Sequence, residues 1–163
     1  MNSAQLSIRA VRADELELVL AFIRELAEYE HLAHQVTATA DDLRAALFGP
    51  RPHAEAVIGC IDGEPCGFAL FFHNFSTFLG KPGLYLEDLY VRPAARGRGL
   101  GSYLLAWLAR LALERGCGRF EWAVLDWNEP ALRVYRSLGA QAADDWTLHR
   151  VTGEALLQLA AKA

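Results

Sequence analysis

The chain has 163 residues, enough for one domain with its own core, and a 53% apolar and 22% charged composition is that of a globular protein. A net charge of −4 excludes the broad basic field that nucleic acid would need, and no apolar run approaches the ~20 residues of a membrane helix. Cys60, Cys66 and Cys117 form no Cys-x-x-Cys pair, and the opening MNSAQLSIRAVRADE has no apolar signal segment, so a reducing cytoplasm is expected.

Leu6, Ile8 and Ala10 alternate in a strand expected over residues 5–11. Asp14 is expected to open a helix, with Glu17 completing a capping box and Leu16, Val19, Leu20, Ile23, Leu26 and Ala27 as the apolar stripe running to about Tyr29. Residues 29–36 read as a loop or helix end. His31 and His34 there lack a third ligand and are expected as surface histidines, so no metal is expected. Thr39 and Asp42 cap a second short helix carrying Leu43, Ala46 and Leu47, which Gly49 and Pro50 stop. A strand over 54–61, a hairpin turn at Asp62-Gly63 and a returning strand over 65–73 follow. Residues 74–83 read as an aromatic loop with Phe75 and Phe78.

Residues 84–112 dominate the rest. Leu84, Leu86, Leu89 and Val91 with Tyr85 and Tyr90 give a strand buried on both faces, which Pro93 ends. On a strand of period two, Glu87 and Asp88 take opposite faces. Then come Arg96, Gly97, Arg98, Gly99, Leu100, Gly101 and Ser102, before a helix carrying Leu104, Leu105, Leu108, Leu111 and Ala112. Glycines let a backbone approach a ligand, and the N–H groups opening a helix favour an anion, so the stretch points to a phosphate-bearing ligand. It is not a P-loop, since no Lys follows the glycines, and Ser102 occupies the third glycine slot of a dinucleotide fingerprint. A strand over 119–125, a helix over 131–137 entered through Pro130, a C-cap at Gly139, a last strand over 146–151 and a helix over 154–161 complete the chain. The order β-α-α-β-β-β-α-β-α-β-α implies an α/β fold with a mixed sheet and helices on both faces.

Arg96-x-x-Gly99-x-Gly101 resembles the acetyl-CoA loop of the GNAT N-acetyltransferases. Asn128, Ala131, Tyr135 and Gly139 are similar to the Asn-x-x-A/S-x-x-x-Tyr-x-x-x-Gly element of the same superfamily. Tyr85 to Val91, Arg24 to Glu30 and Trp146 to Arg150 resemble its spermidine/spermine (diamine) N-acetyltransferase branch, and the likeness spans nearly the whole chain. Gln141 to Asp145 is shorter than the acidic stretch of that branch, which leaves the amine open.

The resemblance implies one GNAT domain over residues 1–163, with a mostly antiparallel twisted sheet splayed between its two central strands. It implies acetyl transfer from acetyl-CoA, by direct attack, to the primary amine of a small molecule such as a polyamine, diamine or thialysine-like compound. Backbone groups of Leu89, Tyr90 and Val91 would hold the pantetheine arm. The stretch Arg96, Gly97, Arg98, Gly99, Leu100, Gly101 and Ser102 would hold the pyrophosphate, and Asn128 and Ala131 would fix the cofactor further. Tyr135 would be the general acid for the leaving thiolate, and Glu87 would bind the ammonium and pass on its proton. Tyr29, Glu30, Asp145 and Trp146 would line the amine channel, with Asp144 beside them. Trp127 is expected in the core. A homodimer is implied by resemblance alone. A protein lysine or N-terminal acetyltransferase, and a non-catalytic acyl-CoA sensor, are the other readings.

Overall fold

A computed structural model describes residues 4–163. The described residues form two compact units, one ending at Trp127 and one spanning Asn128–Ala163. The first holds strands β1 (Leu6–Ala10), β2 (Glu55–Ile61), β3 (Glu64–Ser76), β4 (Lys81–Val91) and β5 (Arg119–Trp122), with helices α1 (Leu16–Tyr29), α2 (Ala40–Phe48) and α3 (Leu100–Glu114). The second holds α4 (Glu129–Ser137) and α5 (Gly153–Ala160). The sheet order is β1-β2-β3-β4-β5, antiparallel except for the parallel pair β4–β5. That pair is parallel because α3 returns the chain to the end where β4 began.

Alternation along β3 builds the two layers. Phe68 stacks on Phe22 of α1 at 5.5 Å between ring centroids, whereas Phe71 meets Trp107 of α3 at 6.4 Å on the opposite face. Phe22, Phe68, Ile58 and Val19 are fully buried on the α1 face, and Leu84, Leu100, Leu104 and Leu108 lie in the core of the first unit as well. Truncating such a phenylalanine to alanine typically costs about 3–5 kcal/mol.

The capping box expected at Thr39 and Asp42 is present: the Thr39 N–H donates to Asp42 Oδ2 at 2.8 Å and the Asp42 N–H to Thr39 Oγ1 at 3.2 Å. The one expected at Asp14 and Glu17 is absent. Glu15 stands at the start of α1 instead, its side chain capping no helix N–H; its carboxylate accepts the Arg12 N–H and both terminal nitrogens of Arg9, the latter at 2.7 and 2.6 Å. Those bonds, the Arg9 pair first, hold the Glu15 carboxyl down at about 2.

Residues 74–83 are not a loop. β3 and β4 continue toward each other until Ser76 pairs with Lys81, and Gly80 turns the hairpin at φ +61. Phe75 is 60% and Phe78 92% exposed. Residues 146–151 are not a strand. Trp146 to His149 alternate apolar and polar, but a strand exists only with a ladder partner, and the sheet ends at β5. β5 is also shorter than expected, stopping at Trp122.

Candidate functional site

β4 is the axis of the site. β3 follows it to Val91, but β5 pairs only with Gly83 to Leu86. From Glu87 onward β4 therefore has one open edge, and the sheet splays there. At the same point the β3 register skips a residue: Phe71 faces Leu86, Leu70 faces Asp88, and Glu87 faces neither. This is a β-bulge, and one extra residue turns every later side chain to the other face. Leu86, opposite Phe71, belongs to the α3 face. Asp88, two residues on and opposite Leu70, belongs to the α1 face with Tyr90, whose ring lies 6.3 Å from Phe22. An unbroken strand would have put Asp88 on the α3 side.

The open edge carries usable backbone groups. The Arg92 N–H donates to Cys66 O on β3 at 2.9 Å, so by alternation the N–H groups of Val91 and Leu89 turn to the open side. The Val91 carbonyl turns there too and accepts from Arg96 Nε at 2.9 Å.

Beyond β4 the turn of Pro93–Ala95 leads to Gly97 and Gly99, at φ +74 and +86, the left-handed region where glycine is favoured. Gly99 is the N-cap of α3, no side chain caps the helix, and no acid lies in its first turn. The first N–H to find its helical carbonyl is that of Tyr103, on Gly99 O. This is the arrangement an anion needs. The two arginines of the stretch are engaged within the protein. Arg96 lies over the rings of Tyr29 and Tyr90, at 4.9 and 5.7 Å, and Arg98 pairs with Asp62 at 3.3 Å across an exposed bridge.

Around the bulge the surface is acidic and aromatic. Burial pushes the Asp88 carboxyl up to about 6, helped by the negative charges of Glu87 and then Glu30. Burial also raises Glu30, which is half-buried just after α1. Glu87 is exposed. Tyr29 and His31 both lie against Trp127, at 6.0 and 5.6 Å between ring centroids. Trp127 is 51% exposed, so the core position expected for it does not hold; it is an aromatic wall. His31 and His34 are exposed, and among the described residues no group of three His, Cys, Asp or Glu is arranged to hold a metal ion. No described helix is long and apolar enough to cross a membrane.

The first unit thus brings together Tyr29, Glu30, Glu87, Leu89 to Val91 and Arg96 to Ser102. In the second unit, Asn128 starts α4 and accepts the Ala131 N–H on its side-chain oxygen at 3.4 Å. Tyr135 is half-buried on that helix, while Asp144, Asp145 and Trp146 are exposed on the connection to α5. Sequence reasoning set Asp88 aside. Two adjacent acids inside an apolar strand are the signal there; the bulge that sets their faces has none.

Residues 20–140 match the acetyltransferase (GNAT) family. The chain is 40% identical to a thialysine N-epsilon-acetyltransferase of Sus scrofa, over 98% of this chain and 99% of that protein. It is 31% identical to the human spermidine/spermine N(1)-acetyltransferase-like protein 1, over 94% of this chain and 23% of that one. Among solved structures it is similar to an integron cassette protein from V. cholerae, with a TM-score of 0.78, 28% identity, and coverage of 98% and 99%.

Proposed function

Because the chain belongs to the GNAT acetyltransferase family, we propose that it transfers the acetyl group of acetyl-CoA to a primary amine of a small molecule, by direct attack in a ternary complex. The observation that carries this reading is full-length likeness to a protein named for acetylating the ε-nitrogen of thialysine. The acids and rings around the bulge support it, since an ammonium group is attracted both to carboxylates and to aromatic faces.

Acetyl-CoA fits the residues present. Its pyrophosphate suits the uncapped start of α3 with Gly97 and Gly99, and its pantetheine arm suits the N–H groups of Leu89 and Val91 on the open edge. Arg98 reaches a phosphate on release from Asp62, an exposed pair of small worth. In this reading Ala131 and Asn128 flank the cofactor, and Asn128 acts chiefly as the cap of α4. Tyr135 returns a proton to the departing thiolate; a phenol near ~10 and a thiol near ~8.5 are matched well enough for that exchange. Glu87 and Glu30 hold the cation, with Tyr29 beside it; Asp145 and Trp146 are assigned to the amine by the family resemblance alone. The reading takes residues 1–163 as one GNAT domain acting as a cytoplasmic homodimer without metal.

Thiol release from acetyl-CoA, followed with a panel of small diamines, lysine-like amino acids, polyamines and one lysine-containing peptide, tests it. Amine-dependent release with a small primary amine, faster than with the peptide, is the expected result. Faster release with the peptide would move the enzyme to protein acetylation, and no release with any amine would overturn transfer itself.

A further inference from the structure

We propose that Asp88, turned toward α1 by the bulge at Glu87, is the catalytic base that takes the proton from the incoming ammonium; the assignment rests on the acetyl-transfer reading above. The bulge is the first ground. Without it Asp88 would point to the α3 face, away from Glu30 and the rings. With it, Asp88 stands in the half of β4 whose edge is open, one residue before Leu89, and on the face that carries Glu30. The second ground is the lack of a partner. Nothing among the described residues stabilises its charge: its environment is burial and two like charges, with no hydrogen bond or cation in it. The charged groups around it are otherwise engaged. Arg92 at the end of β4 grips Glu25 of α1 at 2.9 Å, Arg96 is drawn to Val91 O and the rings of Tyr29 and Tyr90, and Leu70 on β3 is apolar. An incoming ammonium would be its first counter-charge.

An ordinary aspartate is too weak a base for this work. The Asp88 carboxyl rises from 3.8 to about 6, which makes it about a hundredfold stronger as a base. Glu87, one residue before it, is exposed to solvent. The step balances as follows. One N–H bond of R–NH3+ breaks and its proton forms an O–H bond on the Asp88 carboxylate, leaving R–NH2. The nitrogen lone pair attacks the thioester carbonyl. The C–S bond then breaks, and the second proton that leaves nitrogen is balanced by the one proton the thiolate takes up, so that one proton ends on sulfur and the other, through Asp88, in solvent. The products are the acetamide and the free thiol, and Asp88 gives its proton to solvent.

The pH dependence of kcat/KM separates this from the alternatives. With a base in the complex, the productive ionisation is ammonium with Asp88 charged. kcat/KM should then fall below about pH 6 and stay level up to the amine's own value near ~10. Without a base, the amine must lose its proton to water, and kcat/KM climbs about tenfold per pH unit across that range.

The test uses the full-length enzyme with the best amine of the panel. Asp88→Asn should bind acetyl-CoA as the wild type does, replace the level region with the steady climb, and lose about a thousandfold at pH 7. Asp88→Glu should restore a level region. Glu30→Gln should keep the level region and move its lower limit to more acid pH, since one like charge is gone. That variant serves even if Asp88→Asn fails to fold. A level region that survives Asp88→Asn, or that vanishes in Glu87→Gln instead, overturns the assignment and leaves acetyl transfer intact. A wild type without amine-dependent thiol release overturns both.

Discussion

The two halves of β4 share a neighbour on one side and differ on the other. From Gly83 to Leu86 the strand lies between β3 and β5, and Leu84 and Leu86 are 0% and 2% exposed. From Glu87 to Val91 it keeps β3 and loses β5, and there a carboxyl with a raised pKa, an exposed acid and an open backbone edge appear together. The difference is one of satisfied and unsatisfied groups. Where both edges pair and both faces bury leucine, the strand has nothing left to offer a ligand. Where the sheet splays, backbone donors and acceptors remain for one, and burial shifts a charge that no partner compensates.

The largest effect is expected on the chemical side. Tyr135→Phe keeps the ring and removes the hydroxyl, so turnover in the thiol-release assay should fall about 10²–10⁴-fold while acetyl-CoA binding by calorimetry survives. Wild-type turnover with chemistry rate-limiting would hand the proton to another group. The next effect belongs to the paired half. Leu84→Ala should destabilise the fold by about 2–5 kcal/mol in denaturant unfolding, yet leave kcat close to wild type below the unfolding transition. A loss of kcat with stability unchanged would erase the distinction between the halves. The smallest lies in the loop. Gly99 sits at φ +86, and an added Cβ would meet only Leu6 Cδ1 at an ordinary 3.8 Å. Gly99→Val is therefore a conformational strain of about 1–3 kcal/mol rather than a clash. It should weaken acetyl-CoA by about tenfold or more while thermal unfolding stays cooperative. Unchanged affinity would remove the loop from the binding site.

Much of this was readable from residue order alone. The hairpin at Asp62-Gly63, the cap at Thr39 and Asp42, the glycines before α3 and the strand ahead of them have local causes, and they stand where expected. What failed depended on partners. Asn74, Phe75, Lys81 and Pro82 have the composition of a loop but pair as the end of a hairpin. Trp146 to His149 alternates like a strand and has no ladder. Asp88 stands on the face opposite to the one an unbroken strand would give it, because a one-residue slip against β3 reverses the faces, and no glycine or proline in Leu84 to Val91 announces it. Trp127, expected inside, stands half-exposed beside Tyr29 and His31.

The central claim is that acetyl-CoA lies along the splayed half of β4. Hydrogen exchange of backbone amides, with and without acetyl-CoA, tests it most directly. Exchange should slow at Leu89 and Val91, whose N–H groups face the open edge, and at Gly97 to Ser102, while residues 83–86 stay as they were. Saturating acetyl-CoA that leaves Leu89 and Val91 unprotected would contradict the account.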